Sequence, residues 1–205
     1  MDKTSIIGIS RLRIRTDGQG VTALVAFHGC PLHCKYCPNP ICHAPQSKVK
    51  RMSAEEMMQE VEKDELYYIA TNGGVTFGGG EPLLNSSFIK EVLELGAKRW
   101  HITLETSLYA PREHIIELLP YIDEYIVDIK DLNPETYLKY TERSIDQMKS
   151  NLDFLIANGL SKNIICRVPL IPGYNNQRDQ EENGRELSRM GIENINLFTY
   201  NTEKV

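Results

Sequence analysis

Apolar segments alternate with amphipathic segments along almost the whole chain, and this alternation restricts the possible fold more than any other feature. Amphipathic stretches with a period near 3.6 residues predict helices, and the short apolar runs between them predict strands. The segments YIVDIK and NIICRVPLI are apolar nearly throughout, which is typical of strands covered on both faces, as in parallel sheets. The alternation therefore predicts an α/β fold of successive strand–helix units.

The predicted elements follow one another in regular order. The predicted strands share a short apolar core and cover residues 5–14, 22–27, 74–77, 101–105, 125–129, 164–170 and 194–198. The predicted helices share one apolar face and cover residues 54–63, 87–95, 112–119, 145–158 and 178–189. Ser53 with Glu56 predicts a capping box at the start of the first helix, and Gly159 and Gly191 predict helix ends.

Length and charge limit the class of protein. A chain of 205 residues with ordinary hydrophobic and charged content predicts one soluble domain over residues 1–205. The net charge is −5, whereas a nucleic-acid surface usually needs a basic excess. No segment reaches the roughly 18 apolar residues of a membrane helix, and the amino terminus lacks the apolar stretch of a signal peptide. We therefore expect a cytoplasmic protein with neither a nucleic-acid nor a membrane partner.

Four of the five cysteines lie within thirteen positions, and Cys30, Cys34 and Cys37 have the spacing C-x3-C-x2-C. Pro31 and Pro38 flank the second and third cysteines, and a proline inside a helix costs about 3 kcal/mol, so we expect a loop. Thiolates are soft ligands that suit zinc or iron–sulfur clusters. Crowded cysteines in a reducing compartment therefore indicate metal or redox chemistry rather than disulfides.

Three interpretations of the cysteine cluster stay open on the residues alone. The thiols could be buried without a ligand, or they could bind a structural zinc ion with Cys42, His28, His33 or His43 as the fourth ligand. Alternatively, the three could hold a [4Fe–4S] cluster, whose fourth iron would then be open to another molecule. In that case Cys42 is a spare thiol. We expect Cys166 in the core.

A glycine-rich segment, GGVTFGGGEPLL at residues 73–84, includes the predicted strand 74–77 and continues beyond it. Its three consecutive glycines allow the backbone to approach a ligand closely, and Glu81 adds an anionic acceptor. Polar or glycine-rich clusters also end other predicted strands, in the segments ETS, DIKD and PLIPGYN. Active sites of parallel α/β barrels are built at the carboxyl ends of the strands. The sequence thus predicts a functional rim at these ends.

These motifs resemble those of the radical S-adenosylmethionine (SAM) superfamily. Its signature is C-x3-C-x2-C with an aromatic residue before the last cysteine, here Tyr36, and GGGE resembles its second motif. The resemblance narrows to the glycyl-radical-enzyme activating enzymes, such as pyruvate formate-lyase activase. It is carried in order by RTDGQG, GCPLHCKYCPNP, GGVTFGGGEPLL, VDIKDLN and RVPLIPGYN, over nearly the whole chain.

The resemblance implies a fold, cofactors and a reaction. The fold would be a partial (β/α)6 TIM-like barrel of the radical SAM type, without the ferredoxin-like insert of some relatives. The cofactors would be a [4Fe–4S] cluster and SAM, with a monovalent cation beside SAM. An electron from flavodoxin or ferredoxin would cleave SAM to a 5′-deoxyadenosyl radical. This radical would take a hydrogen atom from a backbone glycine of a partner glycyl-radical enzyme.

The resemblance also implies roles for residues that bind the cofactors. The residues matched to cluster ligands are Cys30, Cys34 and Cys37. Tyr36 would lie beside the adenine of SAM. Gly79, Gly80 and Glu81 match the segment that holds the methionine moiety, and Lys130 matches a lysine that contacts the carboxylate of SAM.

The remaining matched residues concern the cation and the substrate. Asp128 matches an acidic residue at the cation, and Glu105 and Thr106 stand where the family has an Asp-Thr pair at the same cation. Asp17 matches an aspartate that touches the substrate glycine loop. Arg167 matches an arginine near the cofactor pocket. Asp17, Arg167 and Lys130 are therefore the candidate catalytic residues.

Two other hypotheses stay open. A radical SAM enzyme of this size could modify a peptide or a small molecule, since Gln19 and Thr22 replace residues that are usual in the family near Asp17. A non-catalytic iron–sulfur or zinc binding module would use the same cysteines. A zinc protein would be colourless, whereas a [4Fe–4S] protein is brown.

Overall fold

The computed structural model describes residues 3–200, with the backbone alone described at Ser47. The chain forms two compact units. Unit 1 comprises Met1–Cys30, Asn39–Thr106 and Ala110–Tyr125. Unit 2 comprises the segments Pro31–Pro38, Ser107–Tyr109 and Ile126–Val205. The prediction of one domain over residues 1–205 stays a prediction.

Unit 1 contains strands in the order β3-β1-β2-β4-β5. Strands β2 (Val21–Phe27), β4 (Gly74–Gly79) and β5 (His101–Thr106) pair in parallel. Strand β1 (Thr4–Ile14) pairs antiparallel with β2, and β3 (Lys50–Met52) pairs antiparallel with β1. The parallel strands confirm the expected succession of strand–helix units.

The parallel strands of unit 1 have one apolar and one polar face. Leu24, Thr76 and Thr103 lie side by side in the three strands, and their side chains share one face of the sheet. Because side chains alternate along a strand, the residues directly before and after these three point to the other face. That opposite face is fully buried and consists of Ala23, Val25, Phe27, Val75, Phe77, Ile102 and Leu104. The ring of Phe27 packs edge-on against Phe88, with ring centroids 6.2 Å apart. The apolar face therefore forms the core of unit 1.

Among its described residues, unit 1 has four α-helices: α1 (Ala54–Val61), α2 (Glu65–Thr71), α3 (Ser86–Glu94) and α4 (Arg112–Leu118). The predicted capping box is present at the start of α1. The side chain of Ser53 accepts a hydrogen bond from the backbone N–H of Glu56, and the carboxylate of Glu56 accepts one from the backbone N–H of Ser53. A short 3-10 turn follows α1 and leads into α2. This turn explains why the predicted helix 54–63 ends earlier as an α-helix.

Unit 2 continues the same alternation of strands and helices. Its elements are α5 (Pro134–Thr141), α6 (Asp146–Ala157), β7 (Ile164–Leu170), α7 (Gln177–Arg189) and β8 (Asn194–Thr199). Strand β6 (Glu124–Asp128) begins with two residues of unit 1, and its other three residues belong to unit 2. The strand order is β6-β7-β8, and β7 pairs in parallel with β8. Gly159 and Gly191 follow α6 and α7 with φ of 80° and 92°, which confirms both predicted helix ends.

The seven predicted strands and five predicted helices are all present, with ends that differ by at most two residues. Within the described residues, one strand and two α-helices were not predicted: β3, α2 and α5. Helix α2 exposes Leu66, Tyr67 and Ile69, so its sequence lacks the separation of apolar and polar faces that identifies a helix. No helix within residues 3–200 is long and apolar enough to cross a membrane.

Candidate active site

The cysteine motif begins directly after β2, and the backbone there turns back on itself. Gly29 has φ of +94°, a conformation that favours glycine, and its N–H donates to the carbonyl of Cys42 at 3.0 Å. The ring nitrogen Nε2 of His28 lies 2.7 Å from the carbonyl oxygen of Ala44. Residues 28–39 form neither helix nor strand. The prediction that Cys30 and its neighbours lie on a loop is therefore confirmed.

The glycine-rich segment lies against the residues that precede the first cysteine. The N–H of Gly80 donates to the carbonyl of Phe27 at 2.9 Å, and the N–H of Glu81 donates to the carbonyl of Gly29 at 2.8 Å. A Cβ on Gly80 would lie 2.1 Å from the Gly29 oxygen, and one on Gly79 would lie 2.7 Å from backbone atoms. Glycine is required at both positions because backbone atoms of the neighbouring segment already fill the space that a Cβ would occupy.

Glu81 is completely buried and hydrogen-bonded. Its Oε1 atom accepts from the hydroxyl of Thr106 at 2.6 Å and from the N–H of Leu83 at 3.2 Å. The second bond caps the 3-10 turn Pro82–Asn85. The residue predicted to bind SAM thus also joins the carboxyl ends of β4 and β5.

Glu105 and Thr106 are neighbours on β5, so their side chains project to opposite faces. Glu105 lies on the polar face beside Gly78, where an added Cβ would be 3.2 Å from the Glu105 Cβ. Thr106 lies on the buried face and directs its hydroxyl to Glu81. Their joint use at a cation stays a prediction.

Asp17 lies in the turn between β1 and β2, at the end of β2 opposite to Cys30. Its side chain is buried and forms an ion pair with Arg13 of β1. The hydroxyl of Thr16 donates to the same carboxylate oxygen at 2.9 Å. The carbonyl of Asp17 accepts from the hydroxyl of Thr76 on the polar face of β4. The turn is therefore fixed both to β1 and to the middle of β4.

In unit 2, Lys130 is buried near Cys34 and forms an ion pair with Asp128, with Nζ 2.9 Å from Oδ2. Burial acts to lower the pKa of Lys130, but the charge of Asp128, with contributions from Tyr200, Cys34 and Tyr140, raises this pKa well above its usual value. Lys130 therefore carries a positive charge at any physiological pH. This arrangement suits contact with an anionic group.

Tyr36 lies in a cluster of tyrosine rings. Its ring centroid is 6.2 Å from that of Tyr140 and 5.9 Å from that of Tyr174, and its hydroxyl donates to the carbonyl of Pro172 at 3.3 Å. Tyr140 and Tyr174 are themselves in edge-on contact at 5.1 Å. Tyr174 belongs to the segment RVPLIPGYN, whereas no motif in the sequence points to Tyr140, because its contact with Tyr36 joins distant segments.

Arg167 and Cys166 are neighbours on β7. The carbonyl of Arg167 accepts from the N–H of Ile129 at 3.0 Å, and the residue is half-buried. Cys166 is fully buried, and this burial raises the pKa of its thiol to about 12. The expectation of Cys166 as a core residue is confirmed.

Exposure separates the five cysteines into two sets. Cys30, Cys34 and Cys37 are half-buried, whereas Cys42 and Cys166 are 2% and 0% exposed. Between residues 3 and 200, no three His, Cys, Asp or Glu side chains surround one point as ligands of a single ion. In a [4Fe–4S] cluster each cysteine binds a different iron, so its ligands need not converge. Thiolates are soft donors that suit such a cluster chemically, and the ligand role of Cys30, Cys34 and Cys37 stays a prediction.

Comparison with known proteins gives the family. The model of the Radical SAM superfamily matches residues 24–182. The chain belongs to this superfamily. It is therefore an enzyme of the class that uses SAM and a [4Fe–4S] cluster, as the resemblance implied.

Similar sequences agree with the narrower resemblance. The (2S)-3-sulfopropanediol dehydratase activating enzyme of Klebsiella oxytoca is 32% identical, over 83% of this chain and 72% of the relative. The pyruvate formate-lyase 2-activating enzyme of Escherichia coli (strain K12) is 26% identical, over 97% of this chain and 78% of the relative. The resemblance to the activating enzymes is thereby confirmed.

Solved structures of superfamily members have the same fold. SuiB of Streptococcus suis, bound to its precursor peptide SuiA, has a TM-score of 0.65 at 16% identity, over 87% of this chain and 38% of that one. A radical SAM methyltransferase from Sphaerobacter thermophilus has a TM-score of 0.62 at 18% identity, over 87% of this chain and 55% of that one. The predicted fold class, a partial (β/α)6 barrel of the radical SAM type, is confirmed.

Proposed function

We propose that this enzyme installs a glycyl radical on a partner enzyme. The observation that carries the proposal is the match to activating enzymes over 83% and 97% of the chain. The cysteine loop, which we define as residues 28–39, carries three half-buried cysteines and is hydrogen-bonded at its start to the GGGE segment. These features support the same assignment. When bound, the cluster and SAM supply a 5′-deoxyadenosyl radical that abstracts a hydrogen atom.

The chain's own residues bind and orient these groups. Cys30, Cys34 and Cys37 are the cluster ligands, and Cys42, which is buried, is not one of them. Lys130 holds the SAM carboxylate through its permanent positive charge, while Asp128 keeps that charge oriented.

The remaining binding residues act through backbone and ring contacts. Gly79, Gly80 and Glu81 form the surface against which the methionine moiety lies, and the buried Glu81 side chain keeps that surface rigid. Tyr36 packs beside the adenine.

Substrate residues belong to the same proposal. We assign Asp17 to the glycine loop of the partner from the match to the activating enzymes alone, since its carboxylate is buried, is paired with Arg13 and lies at the end of β2 opposite to Cys30. Arg167 lies near the cofactor pocket. Glu105, Thr106 and Asp128 contribute to a monovalent cation site.

The cellular context completes the proposal. The electron donor is a reduced flavodoxin or ferredoxin, and no nucleic acid takes part. The enzyme works in the cytoplasm, where thiols stay reduced.

The test separates cofactor chemistry from substrate choice. Anaerobic reconstitution should give about four irons per chain. Addition of SAM and dithionite should then release 5′-deoxyadenosine, and a candidate glycyl-radical partner should acquire a protein radical visible by electron paramagnetic resonance. A protein that holds the cluster but never cleaves SAM would contradict the proposal entirely. Cleavage with radical transfer to a peptide or small molecule, and to no glycyl-radical enzyme, would assign the alternative substrate class.

A further inference from the structure

The carboxyl end of α5 contacts the cysteine loop within unit 2. The last four carbonyls of an α-helix have no partner inside the helix. Two of them accept hydrogen bonds from the loop: His33 N–H donates to Thr141 O at 2.9 Å, and Lys35 N–H donates to Tyr140 O at 3.2 Å. The amides on both sides of Cys34 are therefore fixed by the helix end.

Side chains of the next two residues hold the same loop. The Lys35 ammonium forms an ion pair with the carboxylate of Glu142. The Nε atom of Arg143 donates to the carbonyl of Pro31 at 2.9 Å. Four consecutive residues, 140–143, thus fix residues 31–35 by two backbone hydrogen bonds, one ion pair and one hydrogen bond from a side chain to the backbone.

Glu142 has a backbone conformation that favours glycine. Its φ is 62° and its ψ is 23°, in the left-handed region, at the position after α5 where glycine is most common. Helix stability alone would therefore select glycine here. The carboxylate of Glu142, which pairs with Lys35, is what glycine would lack.

We propose that residues 140–143 preorganise the cysteine loop for its metal cluster, and that Glu142 is a positioning residue in this role. The cluster part of this inference rests on the proposed function, whereas the ordering of the loop does not. A loop already held in one conformation loses little conformational entropy when it binds, so loading is faster and tighter.

A pair of glycine variants tests the proposal. Asn72 ends α2 with φ of 51°, so Asn72→Gly relieves the same kind of backbone strain away from the cysteine loop. In cluster-free protein, Glu142→Gly should speed hydrogen exchange of the His33 and Lys35 amides several-fold, and Asn72→Gly should not. Both variants should stay folded, as thermal unfolding will show.

A charge exchange tests the ion pair itself. Lys35→Glu should speed loop exchange and slow anaerobic iron uptake, and the double variant Lys35→Glu with Glu142→Lys should restore both. Unchanged loop exchange in Glu142→Gly and Lys35→Glu would overturn the ordering role. Faster exchange with wild-type iron uptake would overturn the loading role. Failure of the wild-type protein to bind iron would count against the proposed function, and loop exchange would still test the ordering.

Discussion

The hydroxyl of Thr106 donates a hydrogen bond of 2.6 Å to the carboxylate of Glu81, and both side chains are buried. This bond joins the end of β5 to the segment that follows β4. Because Glu81 also caps the turn Pro82–Asn85, a single buried carboxylate organises the approach to α3.

Removal of this hydroxyl should destabilise the protein. Thr106→Val keeps the shape but leaves a buried carboxylate oxygen without one of its donors, which costs about 2 kcal/mol of unfolding free energy. Thr106→Ser keeps the hydroxyl and should lose less. Chemical denaturation of the two variants measures the difference, and equal stabilities would show that the bond is unimportant.

The glycine at position 80 should tolerate no side chain. Gly80→Ala would place Cβ 2.1 Å from the Gly29 oxygen, so the two backbone segments must separate. We expect a loss of about 3 kcal/mol or more in stability, together with poor iron binding. Gly8→Ala is the control, since a Cβ there meets no atom within 4 Å. Equal unfolding midpoints for the two variants would contradict this packing.

The two sets of cysteines should differ in iron binding. Cys34→Ala should abolish the cluster, and Cys42→Ala should leave the iron content intact. Iron per chain and the visible absorption after anaerobic reconstitution measure both effects. Loss of iron in Cys42→Ala would overturn the ligand assignment.

Buried Cys166 should titrate only at high pH. Burial disfavours the thiolate and raises the pKa of Cys166 to about 12, whereas an unfolded cysteine ionises near pH 8.5. The unfolded state therefore loses its proton first, and unfolding becomes easier as the pH rises between these values. The difference in stability between pH 8 and pH 11 should shrink in Cys166→Ala, as urea denaturation can show.

Alkylation tests the difference in exposure between the three cysteines of the motif and the buried Cys166. In folded, cluster-free protein, iodoacetamide at about pH 8, near the usual cysteine pKa, should label Cys30, Cys34 and Cys37 and spare Cys166. Mass spectrometry of peptides locates the label. Labelling of Cys166 before unfolding would contradict its burial.

Lys130 should contribute to SAM affinity through its charge. Lys130→Met should weaken SAM binding roughly tenfold or more, because a charge-assisted contact is lost. Its iron content should stay normal. Since the pKa of Lys130 is raised well above its usual value, this contribution should not change between pH 6 and pH 9. Titration of SAM into loaded protein measures the affinity, and unaltered binding would remove Lys130 from the site.

Local sequence patterns predicted most of the strands and helices, but they missed two α-helices and one strand. Strand β7 was predicted at its observed bounds because apolar runs identify buried strands directly. Helix α5 carries a start signal in its sequence, Asn133 followed by Pro134, and was still missed. Helix α2 exposes apolar side chains, so no amphipathic pattern marks it.

The sequence predicted the motifs of the site, but it did not predict the ion pairs that hold the residues around these motifs in place. The cysteines and the GGGE segment are short patterns, so a single sequence displays them. The partner of Lys35 is Glu142, 107 residues away, and no local pattern links them. The pairing of Asp17 with Arg13 likewise depends on a turn geometry that the residues alone do not specify.

The contact of backbone with backbone at Gly79 and Gly80 also matters for redesign of the enzyme. Saturation libraries at these two codons should return almost only the parental residue, because no side chain there can be trimmed to make room. Efforts to redesign this part of the enzyme should therefore leave both glycines untouched.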